Sequence, residues 1–273
     1  MTDRLAIAAS IKGLLTEVSA QVDLLAAPDA ALAAGPLADG AAPDAPASSL
    51  VAIAEDGPHP GFADEGKFYD WLRSNDMLGP TISATEFKGC NAITRHAAAA
   101  RWPVSYVAYA LATAYLETAH QMIPVREAYW LSESAANAYF RRMYDIEGQR
   151  PDKARELGNI HPGDGARYCG RGYPQVTGYK NYLKAGTALG VDLVNHPERA
   201  LEPGIAADIM IHGMSEGWFT GRKLSTYLPA SGAASRAQFV PCRSIINGHD
   251  REGDVADYAV GFQTACLAGG WRF

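Results

Sequence analysis

The stretch VSYVAYALATAYLE, Val104 to Glu117, is apolar on nearly all sides. A helix without a polar stripe has no face to offer water, so other elements must wrap it. A chain built round such a helix is a multi-helix body rather than a sheet protein. GKFYDWLRSND places Phe68, Trp71 and Leu72 on one helical face. SATEFKGCNAITRHAAAA opens with Ser83 and carries Glu86 three residues on, the capping-box pattern. SESAANAYFRRMY, TGYKNYLKAGTALG up to Gly190, EPGIAADIMIHGMSEGWFTG from near Glu202 and Pro203, and DVADYAVGFQTACLA read as further helices. A Gly-rich loop covers Gly158 to Gly172, and the only β candidates are short, near Tyr173 to Thr177. The expected fold is mainly α, with long loops and little β.

Three parts follow along the chain. Residues 1–26 read as an N-terminal amphipathic helix, because Ala8, Ile11, Leu15, Val18, Val22 and Leu25 keep 3-4 spacing. That seam, residues 8–25, is a candidate for self-association. Residues 27–61 are an Ala/Pro/Gly-rich linker with no periodic apolar face. Residues 62–273 form the globular domain.

Composition excludes several classes. The 273-residue chain has a net charge of −6 and no long basic run, so nucleic acid is not an expected partner. No apolar stretch reaches the roughly 20 residues that a membrane span needs. Lys12, Glu17 and Asp23 interrupt any secretory apolar core at the N-terminus. Synthesis in the cytoplasm, with release to the outside by another factor, is the expectation. The four cysteines, Cys90, Cys169, Cys242 and Cys266, form no CxxC pair and are expected reduced, although Cys242 and Cys266 could pair in an oxidising compartment. The seven histidines form no HExxH and no close pair, so no metal site is expected.

Two carboxylates stand out in ATAYLETAHQMIPVREAY. Glu117 ends the apolar run, and a carboxyl buried there would keep its proton near neutral pH. A protonated carboxyl is the donor that breaks a glycosidic bond. The alternative is a Glu117 on a solvated face at the helix end. Glu127 lies ten positions on, beyond Pro124, where a new turn could carry it across a cleft. Read alone, it is a helix N-terminal acid or a partner of Arg126 or Arg141. An inverting glycosidase needs its two carboxyls about 6.5–9.5 Å apart.

The stretch GDGARYCGRGYPQVTGYKNY, Gly163 to Tyr182, shifts the reading toward sugar. Its glycines allow close backbone approach, and Arg167, Tyr168, Arg171, Tyr173, Gln175, Thr177 and Asn181 stand among and after them. Amides and hydroxyls beside aromatic faces suit hydroxyl and N-acetyl groups. There is no P-loop and no good GxGxxG.

That stretch, with ALGVDLVNHPERAL after it, resembles the signature region of family 19 glycoside hydrolases, the chitinases and lysozyme-like phage endolysins. YLETAH resembles that family's HET helix end, and SIINGHD its late INGG segment. The resemblance runs from about Asp70 to Phe262 and implies a lysozyme-like domain, inversion at the anomeric carbon and no cofactor. It implies Glu117 as general acid, Glu127 as base, and Thr177 as a residue that helps hold the attacking water. Gln175, Asn181 and Asn247 would bind sugar, with Tyr168, Arg171 and Tyr173 as further contacts. The chain departs from the pattern at Leu116, at Ala119 and His120, and at His249. The arginine often found late in such domains is not evident in DVADYAVGF. Glu133 and Glu147 are the other candidates for the base.

The remaining candidates read mainly as structure. Cys169, with His161, His212 or His249 as base, would make an amidase, but no local signature supports it. Asp164 and Arg167 would brace the loop, His120 would neighbour Glu117, and Trp218 and Phe219 would pack. The expected substrate is a polysaccharide with β-1,4-linked N-acetylated amino sugars. Peptidoglycan is favoured by the short spacing of the two glutamates, with chitin as the alternative. A non-catalytic wall-binding or virion structural module is the alternative of another class.

Overall fold

A computed structural model describes residues 57–273. The helix expected over 1–26, its seam at 8–25 and the linker as far as residue 56 lie outside the described residues. His59 and Gly61 already belong to the packed body. Nε2 of His59 lies 2.9 Å from the Thr94 hydroxyl, and Nδ1 accepts the Gly61 N–H.

The described residues are mainly helical, with little β. Helix α1 (Glu65–Ser74) is capped by Asp64, whose side chain accepts the Lys67 N–H. Helix α2 (Ala84–Ala99) starts at Ser83 with the capping box to Glu86 in place. The long apolar run forms α3 (Val104–Glu117), buried along nearly its whole length. Its last turn is closed by Thr118, whose hydroxyl donates to the Ala114 carbonyl and accepts the Met122 N–H. Truncating a central residue such as Leu111 to Ala would cost about 2–5 kcal/mol.

Strand β1 (Val125–Arg126) follows, then α4 (Glu133–Tyr144), α5 (Pro151–Leu157) and the single turn α6 (Asp164–Arg167). Strand β2 (Arg171–Gly172) pairs antiparallel with β1, Val125 opposite Gly172 and Arg126 opposite Arg171. A bridge from Arg171 to Val176 folds the next segment back on it. The β structure is therefore near the expected Tyr173–Thr177 segment, but its ladder runs through Arg171 and Gly172.

Helix α7 (Tyr179–Leu189) ends at Gly190 in the left-handed conformation. Helix α8 (Pro203–Glu216) begins with proline at its first position, where a missing N–H costs nothing. The short α9 (Arg236–Phe239) leads into a 3-10 segment, Val240–Ile245, and then α10 (Glu252–Ala268). None of these helices is long and apolar enough to cross a membrane.

The main core lies where α3 packs against α10, with α1, α2 and α8 around them. The His96 ring and the Asp208 carboxylate, 2.5 Å apart, latch α2 to α8. A second cluster holds Tyr168, Tyr182, Leu189, Leu193 and Ile209, and a third holds Ala128, Phe140, Tyr144, Leu157 and Cys169. The segment after α3 is pressed onto α2 at Gly89. A Cβ there would sit 1.6 Å from the Met122 carbonyl oxygen, so only glycine fits. All four cysteines are buried and unbridged.

Candidate active site

Glu117 is the last residue of α3, and its side chain is 11% exposed. Its Oε1 accepts a hydrogen bond from Nη1 of Arg243 at 2.6 Å. That guanidinium is 2% exposed and also donates from Nε to the Asp250 carbonyl at 2.9 Å. Burial opposes the charge on Arg243. The Glu117 carboxylate, with Tyr109 and Asp250 around it, outweighs that and holds Arg243 above the usual arginine range. The sequence reading of Glu117 as a lone acid in apolar surroundings is corrected: a buried cation faces it. Arg243 comes from a segment 126 positions away, and no local pattern announces the pair.

Glu127 has the setting that was expected of Glu117. The β1–β2 ladder carries it past Gly170, and its N–H donates to the Gly170 carbonyl at 2.8 Å. Its side chain is buried. Oε1 accepts the Tyr144 hydroxyl at 2.8 Å, and Oε2 accepts the Gly170 N–H at 3.3 Å. Burial pushes this carboxyl up to about 7, while the Tyr144 and Gly170 hydrogen bonds pull the other way. Desolvation wins because two neutral donors replace only part of a carboxylate's hydration. Its partners are therefore neither Arg126 nor Arg141. Glu133, at the N-terminus of α4, and Glu147 are both exposed.

Gly170 gathers three oxygens. A Cβ built on it would stand 3.0 Å from Glu127 Oε2, 3.0 Å from Gln175 Oε1 and 3.1 Å from Thr177 Oγ1. The fold thus brings Thr177 and Gln175 to Glu127. Gln175 adopts a φ of 55°, which its amide stabilises by donating to the Val125 and Gly172 carbonyls at 2.9 and 2.8 Å. Ala128, directly after Glu127, has a φ of 53°. Non-glycine residues in this region cost about 1–3 kcal/mol each and persist where surrounding structure imposes them.

Asn181 sits one turn into α7, and its Nδ2 donates to the Thr177 carbonyl at 2.7 Å. It orients the Thr177 segment from below. Asn247 lies one turn past Arg243, its N–H on the Arg243 carbonyl at 2.8 Å. Its side-chain Nδ2 is buried and finds no acceptor among the described residues.

Of the three remaining expected sugar contacts, the two tyrosines face inward. Tyr173 is fully buried, its hydroxyl 3.4 Å from the Met122 carbonyl. Tyr168 is buried in the second cluster, with its hydroxyl on the Val194 carbonyl at 3.2 Å. Arg171 donates to the Arg167 and Cys169 carbonyls and to the Tyr182 hydroxyl. Tyr168 and Tyr173 build the loop and offer no open face to a ring, so their reading as substrate contacts is corrected, while Arg171 is half-buried and keeps part of its surface open. A tyrosine near glycines looks the same in sequence whichever way it points.

Other candidates resolve similarly. Burial pushes the Cys169 thiol up to about 11, which disfavours the thiolate that an amidase would use. His120 stacks on Tyr115, with ring centroids 4.1 Å apart. Asp164 accepts the His161 N–H, and Arg167 reaches the Val194 carbonyl, so each braces the loop through its own partner. Phe219 packs under Gly213 against the main core, and Trp218 packs against the second cluster. Sequence reasoning missed Arg243, Tyr144 and Gly170. Arg243 alone left a signal, as the one charge in the apolar run Cys242–Ile246.

No protein-family model matches the chain, and no curated protein matches it. Solved chitinases do align with it. Chitinase C from Streptomyces griseus superposes with a TM-score of 0.43 at 18% identity, covering 80% of this chain and 81% of that one. A chitinase C mutant gives 0.43 at 19% identity, covering 79% and 97%. Likeness at this level bears on neither activity nor substrate.

Proposed function

We propose that the protein is an inverting glycoside hydrolase that cleaves β-1,4 links between N-acetylated amino sugars, with peptidoglycan as its polymer. The observation that carries this is the buried Glu127 carboxyl, converging with Thr177 and Gln175 at Gly170. A carboxylate whose affinity for protons is raised is a better general base near neutral pH than an ordinary one. Glu127 takes a proton from water while Thr177 helps hold that water. Glu117 protonates the departing glycosidic oxygen. Its Oε1 accepts a hydrogen bond from Arg243, which fixes the orientation of the carboxyl. Peptidoglycan is preferred over chitin because the short Glu117–Glu127 spacing resembles the endolysin-like members of family 19.

The test compares clearing of bacterial walls with release of chitooligosaccharides, for wild type and Glu117→Gln. Wall clearing that falls about 100-fold or more in the variant supports the reading. Release from chitin without wall clearing reassigns the polymer. Clearing retained in Glu117→Gln sinks the mechanism. Binding without hydrolysis of either polymer supports a wall-binding module.

A second reading exchanges the two carboxyls. It is favoured by the same value near 7, which leaves Glu127 partly protonated at neutral pH. An aryl glycoside with a good leaving group separates the two. Such a substrate needs no proton donor, so the variant it rescues identifies the acid. Rescue of Glu117→Gln supports the first assignment, and rescue of Glu127→Gln the second.

A further inference from the structure

The convergence at Gly170 has a definite hydrogen-bonding polarity. Both N–H groups of the Gln175 amide are committed, to the Val125 and Gly172 carbonyls. Flipping that amide would turn its oxygen onto two carbonyl oxygens, so Oε1 must face Gly170. The single Thr177 hydroxyl hydrogen is committed to the Gln175 carbonyl at 2.9 Å. Thr177 Oγ1 therefore presents lone pairs toward Gly170 as well. Glu127 Oε2 is the third oxygen, and when ionised it only accepts. Three oxygens from three residues converge at this glycine, and with Glu127 ionised none of the three side chains can donate there, the Gly170 N–H on Glu127 Oε2 being the one donor already in place. Acceptors set together in this way call for a small group carrying two hydrogens.

We infer that Glu127, Gln175 and Thr177 form an acceptor-only cradle that grips the attacking water by both of its hydrogens, with Gln175 acting as a positioning residue for that water rather than as a sugar contact. The inference rests on the hydrolase reading with Glu127 as base. One water O–H faces Glu127 Oε2, and the other faces Gln175 Oε1 or Thr177 Oγ1. The water's lone pair is then turned outward, toward the sugar. In the reaction, that pair forms the new bond to the anomeric carbon, and the first hydrogen passes to Glu127 as a proton. The glycosidic C–O bond breaks, and its oxygen takes the proton of Glu117. Fixing the nucleophile in this way lowers the entropic part of the barrier.

Gly170 is the fourth member by virtue of having no side chain. Its φ does not lie in the left-handed region, unlike that of Gly172 or Gly178, so its backbone conformation is open to alanine. What alanine would change is the cradle, since its methyl would meet all three oxygens at 3.0–3.1 Å. A side chain at 170 is thus opposed by these contacts rather than by the backbone torsion angles.

The experiment measures kcat and KM for Gly170→Ala and Gln175→Met on soluble β-1,4-linked N-acetylated oligosaccharides, with melting curves to establish that each variant is folded. The expected result is a fall in kcat of about 100-fold in each variant, with KM within about threefold of wild type. A Gln175 that touches sugar gives the opposite split, KM raised with kcat held, and that result overturns the inference while leaving the hydrolase reading intact. Wild-type kcat in Gly170→Ala also overturns it. A wild-type protein that hydrolyses no such oligosaccharide overturns the inference together with the reading beneath it.

Discussion

The two glutamates stand ten residues apart, yet the fold treats them in opposite ways. Glu117 belongs to the all-helical half, at the end of α3, and meets a buried guanidinium. Glu127 belongs to the loop-rich half, directly after β1, and its hydrogen-bond donors among the described residues are neutral. A buried charge paired with an opposite charge keeps its ionic partner; a buried carboxyl among neutral groups holds its proton more tightly. Two identical side chains thereby acquire different electrostatic surroundings; by itself that contrast favours the exchanged assignment, with Glu127 as the acid, and the leaving-group experiment above decides between the two.

The largest effect is expected where the contrast depends on charge. Arg243→Met removes the cation and leaves Glu117 buried beside an apolar side chain. Breaking one side of a buried pair costs about 3–5 kcal/mol, to be read by urea unfolding. In the background Glu117→Gln the same substitution should cost clearly less. Equal costs in both backgrounds would mean that Arg243 acts through packing alone.

Glu127→Gln should move stability in the other direction and only at high pH. The folded carboxyl titrates near 7 and the unfolded one near 4.5. Below 4.5 both states hold the proton, and the wild type bears no penalty. From 4.5 to about 7 only the folded state holds it, so wild-type stability falls as pH rises, and above 7 the loss is complete. The shift corresponds to about 3 kcal/mol, so Glu127→Gln should gain up to that amount on wild type between pH 4 and pH 8. A pH-independent difference would break the comparison.

Tyr144→Phe tests the neutral-donor side more gently. Loss of one hydrogen bond to Glu127 should cost about 1 kcal/mol and raise the Glu127 midpoint by less than about one unit. The low-pH limb of the rate profile should move up with it. Glu133→Gln is the smallest case. Glu133 is exposed in the first turn of α4, so activity should hold and stability should change by less than about 0.5 kcal/mol, as thermal melts would read.

Much of the scaffold was legible because its signals are local. The buried α3 follows from an unbroken apolar run, the start of α2 from Ser83 and Glu86, and the end of α7 from Gly190. The Gly-rich stretch stood out for a similar reason, since polar side chains among glycines are visible in a window of twenty residues. The electrostatics were not legible, because they are made at a distance. Gly170 reaches Glu127 across 43 positions and Arg243 reaches Glu117 across 126. Judged by sequence neighbours alone, Glu117 looked apolar and Glu127 ordinary. Tertiary contacts reversed the two. Direction was the other missing quantity: Tyr168 and Tyr173 turn into cores, while Thr177 and Gln175, from the same stretch, turn to Glu127.

The most direct measurement is the titration of the Glu127 carboxyl by carbon-13 NMR, with its signal assigned by loss in Glu127→Gln. A midpoint near 7, moving upward in Tyr144→Phe, is the predicted result. A midpoint near the ordinary value of 4.5 would contradict the account, since Glu127 would then be neither the buried carboxyl nor the poised base described above.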